Sequence, residues 1–148
     1  MAEPEPPSLR DPLEDLLGYQ LRRASVVTFL ALGEEFEALG LRPTEAVIIR
    51  FVEANPGCNQ AEISRALGVR RTNMVPIVSG LVDAGMVDRA AADGRTHALF
   101  LTGKGRTMHR RIARASMDHE SRFFGDLDDA TRAVLLETLR GIRAKAEG

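Results

Sequence analysis

The sequence has few of the residues that build disulfide frameworks and metal sites. Its 148 residues include one cysteine, Cys58, one tyrosine and no tryptophan. A single cysteine excludes an internal disulfide and any site with several cysteine ligands. The three histidines, His97, His109 and His119, are not spaced for a shared metal ion, and neither a phosphate-binding glycine loop nor a serine nucleophile motif is present. We therefore expect no cofactor, no metal and no enzymatic activity.

Long apolar runs are also lacking. No stretch approaches the roughly 20 residues that span a bilayer. The first residues are acidic and rich in proline, whereas a signal peptide is basic and then apolar. We expect a cytoplasmic protein with no membrane partner, in which residues 1–12 form a flexible arm and residues 13–148 form one domain.

An excess of positive charge is lacking as well, because the net charge is -1. The charge is unevenly distributed, however. Residues 58–111 carry nine Lys and Arg against four Asp and Glu, a balance of +5, which leaves 11 basic and 17 acidic residues, or -6, elsewhere. A basic module inside an acidic frame is typical of a protein that docks on DNA by one face.

The basic segment contains the pattern of two short helices joined by a tight turn. Asn59, followed three residues later by Glu62, predicts a capped helix over 60–67 that ends at Gly68. Helical spacing then predicts a second helix from residue 71 or 72 to residue 83. The predicted inward residues are Ala61, Ile63, Ala66 and Leu67 on the first helix, and Val75, Val78, Leu81 and Val82 on the second.

Pro76 does not argue against the second helix. In the first turn, where the pattern places it, a proline costs at most one helical hydrogen bond. A hairpin follows, with strands predicted over 87–89 and 97–101 and with Asp93-Gly94 as the turn dipeptide. The segment is therefore predicted to be a helix-turn-helix followed by a wing.

Two long helical patterns flank this segment. Residues 13–39 are apolar nearly all round in the middle, more than a small domain can bury without a partner. Another helix is predicted from Pro43 to about residue 54. After the wing, Thr102 is expected to cap a helix to about residue 124, and a last helix follows Asp128. Long terminal helices suit a two-fold dimer that sets the spacing of two DNA half-sites, roughly 34 Å apart.

Polar and basic side chains at the start of the second helix predict DNA contacts. A recognition helix usually presents its N-terminal residues to base edges, and an Arg on a hairpin tip can enter the minor groove. The alternative is a solvated helix start, and for Arg89 an ion pair with Asp93. The candidates are Arg70, Arg71, Thr72, Asn73 and Ser79 on the helix, Arg89 and Arg95 in the wing, and Asn59, Gln60, Ser64 and Arg65 at phosphates.

These motifs resemble the multiple antibiotic resistance regulator (MarR) family of bacterial transcription factors. The matching residues are 60–69, 78–81, 85–89, and Asp93-Gly94-Arg95 through Thr102 and Gly105. The resemblance implies a mainly α fold with a small β-hairpin wing. It places a winged helix-turn-helix at 43–102 between dimerisation helices at 13–39 and 103–146.

The same resemblance implies a ligand-responsive repressor. The homodimer would bind a pseudo-palindromic operator of double-stranded DNA and be released by a small aromatic acid or its CoA thioester. An Arg beside aromatic side chains suits a flat anion, although each of these side chains taken singly is as compatible with core or surface. The candidate ligand contacts are Arg22, Arg23, Ser25, Val26, Phe29, Phe36, Phe51 and His97.

Two other functions are compatible with the sequence. One is a winged-helix adaptor that binds an acidic protein without sequence-specific DNA binding. The other is a redox-sensing regulator that uses Cys58, although a small half-buried residue is the simpler interpretation of a lone cysteine.

Overall fold

The computed structural model describes residues 9–91 and 96–145, and these form helices and one two-stranded antiparallel sheet. The predicted mainly α fold with a hairpin wing is confirmed. In chain order the elements are α1 Leu17–Glu37, α2 Pro43–Ala54, α3 Gln60–Leu67, α4 Arg71–Asp83, β1 Val87–Ala91, β2 His97–Leu101, α5 Gly103–Phe124 and α6 Asp129–Ala144. None of the helices in the described ranges is long and apolar enough to cross a membrane.

Helix α1 begins four residues later than predicted. The Asp11 carboxylate accepts a hydrogen bond from the Leu13 amide at 2.9 Å, and the Gln20 side chain donates to the Glu14 carbonyl at 2.8 Å. These bonds hold the preceding residues in a turn, so the first regular helical residue is Leu17. The carboxylate of Asp11 can compete for backbone donors in this way because it is short and close to the chain.

The core lies between α2, α3, α4, the hairpin and the first two thirds of α5. On α5 the buried residues run from Gly105 to His119, and Phe36 is the one residue of α1 that is buried. This arrangement packs α4 and α5 against α2 and leaves most of α1 outside the core. The buried apolar residues are Phe36, Leu41, Ala46, Ile48, Ile49, Val52, Ile63, Met74, Val78, Leu81, Met86, Val87, Leu99, Leu101, Met108, Ile112 and Ala115.

Two of the predicted inward positions are wrong. Val75 is 43% exposed, and Met74 takes its place in the core with Val78 and Leu81. On α3, Ala66 is exposed and Ser64 is buried beside Ile63. The other predicted inward residues of both helices are buried or half-buried, so each predicted face differs from the buried face at one position.

Pro76 is the sixth residue of α4 and therefore lies in its second turn, not in the first as predicted. Its missing N–H removes one hydrogen bond within the helix. The helix nevertheless continues to Asp83, because Met74, Val78 and Leu81 anchor it in the core.

Strand β1 of the wing is two residues longer than predicted. β1 runs to Ala91 because Ala90 and Ala91 pair with Ala98 and His97 of β2. The other edge of β2 is also occupied: the Gly57 amide donates to the Leu99 carbonyl at 2.9 Å, and the Leu99 amide donates to the Cys58 carbonyl at 2.8 Å. The connection between α2 and α3 is thereby hydrogen-bonded to the wing.

Gly105 provides a close approach between α5 and the base of the wing. Thr102 caps α5, its hydroxyl accepting from the Gly105 amide at 3.0 Å. The Thr102 amide donates to the Met86 carbonyl at 3.1 Å, and that carbonyl oxygen occupies the space where a side chain at position 105 would begin. A glycine is required at this contact because any Cβ would collide with backbone.

The two terminal helices leave large apolar side chains outside the core. No residue of α6 is buried in the single chain. Ion pairs connect the helices instead, Glu35 of α1 with Arg122 of α5 at 3.6 Å and Glu120 of α5 with Arg132 of α6 at 2.7 Å. The exposed apolar residues of the terminal helices are Leu17, Leu21, Val26, Val27, Phe29 and Leu30 on α1, and Val134, Leu135, Leu136 and Ile142 on α6.

Candidate nucleic-acid interface

The start of α3 is fixed by the predicted capping box. Asn59 Oδ1 accepts hydrogen bonds from the amides of Ala61 and Glu62 at 2.9 and 3.0 Å, and the Glu62 carboxylate accepts from the Asn59 amide at 2.8 Å. Gly68 then ends the helix in the left-handed conformation, with φ of 64°. The helix-turn-helix corner is therefore set by local hydrogen bonds, and the side-chain amide nitrogen of Asn59 remains available as a donor.

The N-terminus of α4 is exposed and positively charged. Arg70 is its N-cap, and Arg71, Thr72 and Asn73 form its first turn, all of them exposed. No acidic residue lies in this turn. The positive end of the helix dipole adds to the charge of the two guanidinium groups. The predicted base-reading residues are thus together at one end of α4.

A groove runs between α4, the start of α3 and the wing; we call it the α4–wing groove. It has a volume of about 170 Å³. It brings together five of the predicted DNA contacts, namely Asn59, Gln60, Arg71, Ser79 and Arg89. The full lining is Asn59, Gln60, Ala61, Arg71, Val75, Ser79, Arg89, Thr96 and His97.

Arg89 connects the wing to α4. Its Nη2 donates a hydrogen bond to Ser79 Oγ at 3.0 Å across the groove. The predicted pairing of Arg89 with Asp93 lies outside the described residues, as does the predicted contact of Arg95. The Ser79 bond uses one of the five guanidinium donors, so Arg89 is positioned by α4 and keeps donors for a further acceptor.

The arginines of this surface have no acidic partner among the described residues. Within residues 9–91 and 96–145, no salt bridge involves Arg65, Arg70, Arg71 or Arg89. Arg65 and Arg70 border a shallow recess beside the groove, which they share with Arg71. Ser64 borders the same recess but is only 7% exposed, so the predicted phosphate contact of Ser64 is wrong. The remaining charge is available for an anionic partner.

The predicted ligand contacts are dispersed in the single chain. Arg22, Arg23 and Val26 lie on an exposed patch of α1 with Tyr19 and Val27, and Ser25 and Phe29 are exposed on the same helix. Phe51 borders a recess beside Cys58, and His97 lines the α4–wing groove. Phe36 is 2% exposed within the core. Residues from α1 thus do not meet Phe51 or His97 in one cavity of one chain.

Cys58 is half-buried between α2 and α3, and no metal-binding group of three or more His, Cys, Asp and Glu occurs among the described residues. Burial raises the pKa of the Cys58 thiol, and the negative charge of Glu62 raises it further. Because the thiolate is the reactive form, this environment disfavours oxidation chemistry at Cys58.

Four of the nine residues that line the groove were not predicted as DNA contacts, namely Ala61, Val75, Thr96 and His97. Val75 was assigned to the core, whereas the structure places it in the groove between Arg71 and Ser79. The sequence held no signal that distinguishes Val75 from Met74, because Met74, Val78 and Leu81 fit helical spacing as well as Val75 does. Two adjacent apolar residues cannot be separated by periodicity alone.

Comparison with known proteins agrees with this geometry. The profile described as the MarR family matches residues 39–96. The HTH-type transcriptional repressor Rv2887 of Mycobacterium tuberculosis is 34% identical over 97 residues, which are 64% of this chain and 70% of that protein. This chain belongs to the MarR family.

Solved structures of MarR-family proteins extend the similarity over almost the whole chain. The repressor CouR bound to a 23-mer DNA duplex is 34% identical, with a TM-score of 0.83 over 92% of this chain and 99% of that one. CouR bound to p-coumaroyl-CoA is 33% identical, with a TM-score of 0.78 over 92% and 98% of the two chains. The predicted winged helix-turn-helix and the assignment to DNA-binding transcriptional regulators are confirmed.

Proposed function

We propose that the protein is a homodimeric, cytoplasmic MarR-family repressor that binds a pseudo-palindromic operator and is released by an aromatic acid or its CoA thioester. The observation that carries the proposal is the α4–wing groove. It joins the outward face of the recognition helix to a wing strand, and its arginines have no acidic partner in the described part of the chain. Such a surface suits the phosphates and base edges of duplex DNA.

Each group of side chains in and beside the groove has a distinct role in this proposal. The residues at the start of α4 contact base edges in the major groove, and those at the start of α3 contact phosphates, which position the head without specifying sequence. In the wing, Arg95 enters the minor groove. The base-contacting residues are Arg70, Arg71, Thr72, Asn73 and Ser79, and the phosphate-contacting residues are Asn59, Gln60, Arg65 and Arg89.

The apolar surface of the terminal helices supports the dimer. Helix α1 exposes Val26, Phe29 and Leu30, and α6 buries no residue in the single chain. Such apolar surface is unusual for a monomer, because large contiguous apolar patches mark association sites. A second copy of the chain would cover both helices. The symmetric interface then holds two recognition helices at the half-site separation.

The effector class is supported by related proteins and by the chemistry of α1. The solved relatives include CouR bound to p-coumaroyl-CoA and Rv2887 bound to salicylic acid. On α1, Arg22 and Arg23 lie beside the Tyr19 ring, with the Arg23 guanidinium carbon 5.6 Å from the ring centroid. A cation beside an aromatic ring suits a flat organic anion. In the dimer, the partner's surface completes the pocket that one chain leaves open, and a ligand that favours another head spacing shifts the population off DNA.

Titration of the purified dimer with its own upstream DNA tests the proposal. A scrambled duplex of equal length is the control, and both are measured at two salt concentrations. We expect selective binding, one dimer per site, that weakens steeply with salt because phosphate contacts release counterions. Equal binding to the two duplexes would refute sequence-specific regulation and favour the adaptor.

Single substitutions test which residues contact the DNA. Arg71→Ala and Arg95→Ala should each weaken binding about tenfold, within the range for loss of a base or groove contact, while the dimer stays intact. Arg114→Ala is the control, because Arg114 is an exposed residue of α5 paired with Asp118 at 3.7 Å and lies outside the groove lining. Release of the bound duplex by salicylate or p-coumaroyl-CoA, and not by acetate or CoA alone, would identify the effector class.

A further inference from the structure

Val75 is an exposed apolar side chain in the middle of the recognition helix. The residue is 43% exposed and lines the α4–wing groove. Arg71, Val75 and Ser79 are four residues apart and therefore form one stripe on the outward face of α4. Val75 is the apolar member of this stripe, between a cationic side chain and a hydroxyl.

Val75 contributes little to the stability of the free protein at this position. A β-branched residue lowers helix propensity, and Met74 already fills the neighbouring core position. Valine can neither donate nor accept a hydrogen bond, so in a DNA groove it would exclude water from polar base edges without replacing the lost bonds. The one apolar group on the major-groove edge of the base pairs is the C5-methyl of thymine.

We propose that Val75 reads the methyl group of one thymine in each operator half-site, which makes it a specificity-determining residue of the interface. This inference rests on the proposed DNA-binding function. Four helical residues rise about 6 Å, which corresponds to roughly two base steps of 3.4 Å. The thymine therefore lies within about two base pairs of the base that faces Arg71.

The placement of Ser79 supports this assignment. The Ser79 hydroxyl accepts the hydrogen bond from Arg89 at 3.0 Å, so the end of the stripe nearest the wing is occupied by an internal contact. Arg71 at the other end has no acidic partner in the described part of the chain. Between them Val75 contributes shape and apolar surface, which discriminate thymine from the other bases without a hydrogen bond.

Replacement of single thymines by deoxyuridine tests the inference, because it removes the methyl group and leaves base pairing unchanged. Each thymine of the operator is replaced in turn, symmetrically in both half-sites, and binding of the full-length wild-type dimer is measured. We expect one position per half-site at which uracil weakens binding about fourfold per contact, the effect of one buried methyl group. Val75→Ala should bind the thymine and uracil duplexes equally at that position.

Pro76→Ala is the matched control, because Pro76 is the next exposed residue of α4. It should keep the thymine preference. Thermal unfolding of both variants checks that they are folded, which we expect because neither side chain is in the core.

The outcomes separate the two proposals. Selective operator binding in which Val75→Ala keeps every uracil effect would overturn this inference and leave the repressor function intact. Loss of the preference in Pro76→Ala but not in Val75→Ala would also overturn it, since the contact would then belong to Pro76. Failure of the wild-type protein to distinguish operator from scrambled DNA would overturn both proposals.

Discussion

Gly105→Ala should destabilise the protein and weaken DNA binding together. The new Cβ would collide with the Met86 carbonyl oxygen and lie 3.3 Å from the Leu101 side chain. Overpacking of this kind costs about 1–3 kcal/mol. Moving the carbonyl also weakens its hydrogen bond from the Thr102 amide, about 1 kcal/mol, while alanine regains about 1 kcal/mol of helix propensity. The net loss is about 2 kcal/mol.

Thermal unfolding at fixed protein concentration measures this loss. For a chain of this size 2 kcal/mol corresponds to a decrease in Tm of about 4–8 °C. The protein concentration must be constant because the proposed dimerisation would contribute to stability. Gly103→Ala is the matched control in the same helix, since a Cβ at Gly103 meets nothing within 4 Å. Its Tm should be unchanged or slightly higher.

DNA binding gives a second readout of the same substitution. The collision displaces the base of the wing from α5, and the wing carries Arg89 into the α4–wing groove. Gly105→Ala should therefore bind the operator less tightly even at temperatures where it is fully folded. If both glycine variants unfold at the wild-type temperature, the close approach at Met86 does not constrain the fold and the reasoning fails.

Two further predictions concern titrating groups. The rate of alkylation of Cys58 by iodoacetamide should rise with pH through a midpoint above that of an ordinary cysteine, because burial and Glu62 raise the pKa of the thiol. Glu62→Gln keeps the cap and should lower the midpoint; a midpoint at or below the ordinary value would contradict the assignment. Hydrogen bonds from the amide and from the side chain of Thr131 lower the pKa of Asp128. The stabilising effect of the Asp128 carboxylate is therefore present above the ordinary aspartate pKa and is lost as pH falls through the lower folded value. Asp128→Asn caps without titrating, so wild type should lose Tm relative to this variant only in acid, and a pH-independent difference would contradict the role of the charge.

Local signals in the sequence were sufficient to place most helices. Helix α3 runs from Gln60 to Leu67 between its cap residues Asn59 and Gly68 as predicted, because its cap and its left-handed terminus need only neighbouring residues. Thr102 and Asp128 act in the same way for α5 and α6. These elements could be predicted because their hydrogen bonds join residues close in sequence.

The prediction and the structure differ where residues distant in sequence determine the local conformation or burial. Val75 and Met74 are both apolar, and only the packing of α4 against the core selects Met74. The strand β1 extends through Ala90 and Ala91, which have little strand preference of their own, because β2 pairs with them. In the proposed dimer a second chain would complete the candidate ligand pocket, and a single sequence does not position that chain. Of the candidate site, the start of α4 followed from local pattern, whereas the Arg89–Ser79 bond depends on tertiary packing.

The pairing of β2 on both edges has a mechanical consequence. One edge bonds to β1 and the other to Gly57 and Cys58 in the connection between α2 and α3, so the hairpin cannot pivot independently of that connection. In the proposed dimer, a displacement of this connection would carry the hairpin with it. The wing would then follow the helix-turn-helix whenever the head moves relative to the operator.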